Sequence, residues 1–133
     1  MRSEAIDVLI KHRIRPSEQR IAVMQYLITH RTHPSVDTIY EDLHPSMPTL
    51  SRTTVYNVLR SLVEKGAVLM LTIDDKNARF DADITPHSHF RCNSCGELFD
   101  LPQPVVGDLD APGFRIDDIH IYYRGICPKC QKN

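Results

Sequence analysis

The sequence predicts an α+β chain, with a winged helix-turn-helix unit over residues 1–82 and a small α/β unit over 83–133 closed by four cysteines. Three observations carry this reading. Apolar residues recur at helical spacing as far as Leu62 and alternate afterwards. Two short alternating runs, "AVLMLTI" and "ARFDA", flank the turn sequence "DDKN" directly after the last helical segment. The cysteines fall in two CxxC pairs, Cys92 with Cys95 and Cys127 with Cys130, separated by 31 residues.

In chain order, Ala5, Ile6, Leu9 and Ile10 form one face of a first short helix, which Pro16 in "RIRP" is expected to end. Ser17 reads as the N-cap of "EQRIAVMQYLITH", where Ile21, Met24, Leu27 and Ile28 line one face. "HPSVDTIYEDL" makes a third helix with Ile39, Tyr40 and Leu43 inward, and "PSMPTL" breaks it. Ser51 caps a fourth helix over 51–65, with Val55, Leu59 and Leu62 inward and Gly66 ending it. Helices followed by a two-stranded hairpin are the pattern of a winged helix, whose last helix would lie in the DNA major groove. Its outward residues Arg52, Thr53, Thr54, Tyr56, Asn57 and Arg60 suit phosphates, thymine methyls and base edges. Against this stands the plainer reading that any small helical bundle has one polar-faced helix, and that Tyr56 is a half-buried core residue.

After the hairpin, "DITPHSH" reads as a linker and the remainder as strands: "HFRC", "ELFDL" and "FRIDDIHIYYRGIC". "PQPVVGDLDAPG" between them offers a short helix at best. A unit of this size commonly needs a staple or a partner. Four thiolates in two CxxC pairs, with no cysteine left over and Gly96 forming a tight knuckle, suit a closed structural zinc site. Two disulfides or four idle thiols are the competing reading. His87 and His89 alternate along an extended segment and point to one side, with Asp81 and Asp100 flanking them at hairpin-compatible distances. A lone HxH is usually a surface accident. Imidazoles accumulating with carboxylates beside the knuckle instead suit a borderline divalent ion such as iron, manganese or zinc.

Charge is less informative. The chain carries 16 Lys and Arg against 17 Asp and Glu. Residues 1–71 hold nine basic and seven acidic side chains, and 72–133 hold seven and ten, giving +2 and −3. The first part is therefore the one to meet a polyanion. No apolar run has spanning length and the start "MRSEAIDVLIKH" has no signal-peptide core, so the expected compartment is the cytoplasm, where thiols stay reduced.

Together, "SEQRIAVMQYL", "HPSVDTIYEDL", "SRTTVYNVLRSL", "RFD", "HSHFRCNSCGELFD" and "YYRGICPKC" resemble the ferric uptake regulator (Fur) superfamily of metal-dependent repressors, most closely its peroxide-sensing PerR branch. The resemblance runs from about residue 8 to 130, and the HxH-x2-CxxCG block is its most specific part. It implies a homodimer on double-stranded, palindromic operator DNA, with the C-terminal unit for dimerisation and structural zinc on Cys92, Cys95, Cys127 and Cys130. It also implies a regulatory Fe(II) or Mn(II) site on His33, Asp81, His87, His89 and Asp100, and adds Arg20 and Ser51 to the DNA-facing set. By pattern alone, His33 is a solvent-exposed loop histidine. The chain departs from the family at Ser17-Glu18-Gln19-Arg20, where Thr-Pro-Gln-Arg is usual, and in a shortened segment between Asp100 and Phe114. His120 lies one position out of register for a further ligand and reads as structural.

Two readings within the family follow: a peroxide-stress sensor, or an iron or zinc uptake repressor that reads metal level only. From another class, a metal-dependent hydrolase would also use His and Asp ligands. No nucleophile or general base stands out beyond those ligands, and a basic, Tyr-bearing helix has no purpose in such an enzyme, so the expectation is a regulator and not an enzyme.

Overall fold

The computed structural model describes residues 2–85, 87–102, 109–116 and 119–132. The chain separates into two compact units, Met1–Ile84 and Thr85–Asn133.

The first unit holds four helices and a hairpin: α1 (Arg2–Lys11), α2 (Glu18–Thr29), α3 (Val36–Leu43), α4 (Arg52–Glu64), β1 (Leu69–Leu71) and β2 (Arg79–Asp81). Serine hydroxyls start three of the helices, each accepting a backbone N–H of the first turn: Ser17 from Arg20, Ser35 from Thr38 and Ser51 from Thr54. Helix α4 ends as its sequence predicts. Gly66 has φ +80°, and the Ala67 N–H returns to the Leu62 carbonyl.

Helix α1 ends the same way without a glycine. Arg13 takes φ 61°, its N–H reaches the Ile10 carbonyl, and the Ile14 N–H reaches the Leu9 carbonyl at 2.8 Å. A left-handed turn, and not Pro16, terminates this helix. Burial of Ile14 in the core offsets a strain of about 1–2 kcal/mol for a residue with a Cβ.

The core joins Ala5, Leu9, Ile21, Met24, Leu27, Ile39, Val55, Leu59 and Leu62 with Ala67, Val68 and Phe80 from the hairpin region. Four expected core positions are only partly buried, namely Ile6, Ile28, Tyr40 and Leu43, and Ile10 is exposed. Val23, Tyr26 and Val58 are buried in addition. Tyr26 reaches the core because its hydroxyl has a partner, donating to the Asp42 carboxylate of α3. Burial and that carboxylate together raise the phenol above its ordinary range. The hairpin pairs Leu69 with Asp81, Met70 with Phe80 and Leu71 with Arg79, and its loop spans residues 72–78.

The second unit is a three-stranded sheet of β3 (Ser88–Cys92), β4 (Leu98–Leu101) and β5 (Tyr122–Gly125) in the order β4-β3-β5. β3 and β4 are antiparallel, with His89 opposite Asp100. β3 and β5 are parallel, with Cys92 opposite Gly125. The predicted strand over 114–127 shrinks to Tyr122–Gly125. Its described earlier residues are irregular and leave Phe114, Ile116 and Ile119 exposed: Gly113 turns the chain at φ +87°, and among the described residues no strand pairs with them. The middle of the shortened segment, 103–108, lies outside the described residues. Among the described residues, the apolar core cluster lies wholly in the first unit. The second buries Leu98, Cys92 and Cys127 instead, with Ser88 and His89.

Candidate metal centres and nucleic-acid face

The parallel pairing of β3 with β5 assembles the cysteine cluster. β3 runs into the knuckle Cys92-Asn93-Ser94-Cys95, closed by the Gly96 N–H on the Cys92 carbonyl at 2.9 Å with Gly96 at φ +76°. The Asn93 N–H then reaches the Gly125 carbonyl at 2.7 Å, which brings the end of β5 and its Cys127 knuckle alongside. All four sulfurs lie within 4.8 Å of one another, and those of Cys95 and Cys127 are 3.9 Å apart. Tetrahedral zinc with bonds of about 2.3 Å requires sulfurs about 3.8 Å apart, so the cluster fits that ion. No disulfide links the four thiols.

Backbone N–H groups of Cys95, Cys127 and Ser94 point at the Cys92 sulfur at 3.4 Å. They pull that thiol down to about 6, led by the Cys95 N–H, which favours the thiolate a metal requires. Cys130 moves the other way, to about 11. A Ser94 contact lowers it, but the neighbouring Cys127 thiol and burial outweigh that.

The remaining predicted ligands fall in both units. In the first, the pattern reading of His33 as solvent-exposed is corrected: it is 4% exposed and sits at φ 57° in the turn between α2 and α3. Its Nε2 lies 3.5 Å from Oδ2 of Asp81, equally buried at the end of β2. The other Asp81 oxygen accepts the Asp83 N–H at 2.9 Å, which fixes the carboxylate. The backbone of the turn is held from β2: the Arg79 guanidinium donates to the His33 carbonyl at 2.7 Å and the Phe80 N–H to that of Pro34 at 3.0 Å. Arg79 has no role predicted from the sequence beyond its place in "RFD".

In the second unit, the alternation along β3 brings the His87 and His89 rings to 4.3 Å between centroids. Their Nε2 atoms lie 3.3 and 3.4 Å from Oδ1 of Asp100, the cross-strand partner of His89. His87 Nδ1 faces the Thr85 carbonyl at 2.7 Å. A carbonyl only accepts, so Nδ1 carries a proton and Nε2 is the atom directed at the carboxylate. Two imidazole nitrogens and a carboxylate oxygen converging in this way fit a divalent metal, which binds neutral imidazole. His120 is exposed, with Nδ1 3.4 Å from the Tyr122 hydroxyl.

On α4, Thr53, Tyr56, Asn57 and Arg60 are exposed, Tyr56 by 51%. Several members of the predicted DNA-facing set, Arg60 among them, are engaged within the first unit. The Ser51 and Thr54 hydroxyls lie 2.9 Å apart in the cap. Arg52 donates to Asp37 at 3.0 Å, with Glu41 at 3.9 Å, and its guanidinium stacks 4.4 Å over the Tyr40 ring. Arg60 pairs with Glu64 at 3.3 Å, and Arg20 donates to the Arg15 carbonyl at 2.9 Å.

The sequence model of the ferric uptake regulator family matches residues 11–123. The chain belongs to this family. Its class is that of metal-responsive transcriptional repressors, which are DNA-binding regulators and not enzymes. The peroxide-responsive repressor PerR of Staphylococcus aureus (strain Mu50) is 35% identical over 133 residues, covering 96% of this chain and 90% of its own. The GAS PerR-Zn-Zn structure is 33% identical with a TM-score of 0.55, covering 99% of this chain and 88% of that one. The Helicobacter pylori ferric uptake regulator shares the fold, with a TM-score of 0.73 at 17% identity over 100% of this chain and 95% of that one. Among the described residues, no helix is long and apolar enough to cross a membrane.

Proposed function

We propose that the chain is a peroxide-sensing repressor that binds palindromic operator DNA as a cytoplasmic homodimer. In this reading the unit over 1–82 binds DNA and that over 83–133 dimerises. Cys92, Cys95, Cys127 and Cys130 hold structural zinc, and His33, Asp81, His87, His89 and Asp100 share one Fe(II) or Mn(II) ion. The observation that carries the metal assignment is the His87 arrangement, with Nδ1 on a carbonyl and Nε2 turned to Asp100. His33 with Asp81 makes two ligands, and His87, His89 and Asp100 make three. Five ligands together leave one position of an octahedral ion open to a small molecule. Leu109, Phe114, Ile116 and Ile119 are each more than half exposed on the smaller unit, an apolar surface that a second copy would cover.

Bound iron would supply the electron that splits the peroxide O–O bond and would regain one from the histidine adduct, so that the net change is one peroxide oxygen added to a histidine ligand and the other released as water. The chain's own residues position the imidazoles. The Thr85 carbonyl orients the His87 ring and Asp81 faces His33; that these two rings are the sites of oxidation is what the resemblance to the peroxide-sensing branch implies. The test is operator affinity of iron-loaded and manganese-loaded protein before and after micromolar peroxide, with a mass search for one added oxygen on the His33 and His87 peptides. The iron form should lose DNA and the manganese form should keep it. Equal survival would instead support the second reading, an iron or zinc uptake repressor that responds to metal level alone.

The DNA face makes a separate prediction. Tyr56→Ala should blur sequence preference by about 1–3 kcal/mol at the base pair it meets. Arg60→Ala should weaken all duplexes alike and lower the salt slope by about 1. Salt-dependent binding to operator and scrambled duplexes measures both. Unchanged affinity and specificity in the two variants would remove α4 from the interface.

A further inference from the structure

The hairpin β1–β2 supplies more than a ligand. Arg79 and Asp81 are two residues apart on β2, so their side chains leave the same face of the strand. Asp81 faces the His33 imidazole, while Arg79 grips the His33 backbone. That backbone needs a grip, because φ 57° brings Cβ against the following carbonyl in any residue but glycine.

The guanidinium makes two bonds in different directions. Nη1 donates to the His33 carbonyl at 2.7 Å, and Nε donates to Asp74 Oδ2 at 3.1 Å. The other Asp74 oxygen accepts the Lys76 N–H at 2.9 Å, closing the turn at the hairpin tip. Lys76 N–H first, and then Arg79, hold the Asp74 carboxyl below its usual range despite burial. The Arg79 and Asp74 side chains are only 24% and 12% exposed, so the pair is shielded from the water and salt that weaken surface ion pairs. A continuous chain of hydrogen bonds therefore runs from the hairpin tip through Asp74 and Arg79 to the turn that carries His33.

We propose that Arg79 is the positioning residue of the regulatory metal site: braced by Asp74, it holds the His33 turn in its ligating conformation and ties the hairpin tip to metal occupancy. The proposal rests on His33 being a ligand. It follows that a change at the hairpin tip alters metal affinity, and that metal binding stiffens the tip in return. Lysine cannot replace Arg79, because a single ammonium lacks the planar fork that spans the two acceptors.

The test is Mn(II) affinity of zinc-loaded, full-length protein, followed by the electron paramagnetic resonance of the free ion, in wild type and in His33→Ala, Arg79→Gln, Arg79→Lys and Asp74→Ala. Zinc content and thermal midpoint are measured alongside. His33→Ala should lose the site. Arg79→Gln should weaken Mn(II) by about 10- to 100-fold, the range for an outer group that orients a ligand, and Arg79→Lys should not restore it. Asp74→Ala should shift affinity the same way by less, with zinc unchanged. Arg79→Gln binding Mn(II) like wild type while His33→Ala does not would overturn the proposal. So would a folded Asp74→Ala with wild-type affinity, which also decides the matter if Arg79→Gln does not fold. If His33→Ala itself binds Mn(II) normally, the ligand assignment falls, and the brace with it.

Discussion

Cys127→Ser should release zinc and unfold the smaller unit, and with it the dimer, while the four-helix unit keeps its fold. The expectation comes from what that unit buries: one leucine, two cysteines, a serine and a histidine among its described residues. Structural zinc contributes about 10–16 kcal/mol in small domains, comparable with the whole stability of an ordinary one at about 5–15 kcal/mol. Cys127 is 1% exposed, so a hydroxyl there is both a poor zinc ligand and a buried polar group. Cys95→Ser should act in the same direction, although that cysteine is exposed. Zinc content by mass spectrometry and amide exchange along β3 and β4 report the outcome. A zinc-free protein with those amides still protected would show that the sheet stands without metal.

His89→Ala should abolish the effect of Mn(II) on operator binding and leave the cysteine-bound zinc in place, since the two sites share no ligand. In wild type the metal has to favour the DNA-competent form. By linkage, operator DNA must then tighten metal binding by the same factor, with about 5- to 150-fold being typical. His89 is 3% exposed and pairs across the sheet with Asp100, so its removal takes away the proposed ligand and a partner of Asp100 together. Operator titrations with and without Mn(II) give the factor in each protein. A His89→Ala protein with the wild-type factor would remove the imidazole from the coupled site. Loss of zinc in the same variant would mean that the two centres are not independent.

Much of this was legible locally. Ser17 and Ser51 read as caps because an N-cap hydroxyl meets an N–H only three residues on. Gly66 read as a helix end, since glycine adopts a positive φ without penalty. The CxxC knuckles and the HxH alternation were legible for the same reason: the partners are close in sequence, and strand or turn geometry sets their direction.

What the sequence hid was settled by partners far along the chain. Arg13 closes α1 as a glycine would, because the core takes up Ile14. The apolar alternation before Tyr122 promised more strand than formed: among the described residues, the ladder with β3 runs over Tyr122–Gly125. His33 looked like an exposed loop residue until β2 was seen to hold its carbonyl across 46 positions. The sequence by itself determined which atoms are fit to bind metal and where helices begin. Tertiary structure alone decided that β5 runs parallel to β3 and so joins the two cysteine pairs, and that Arg79 reaches the His33 turn. Caps and knuckles depend on neighbours within one turn of chain, whereas these two depend on which distant backbone satisfies which hydrogen bond once the core has closed.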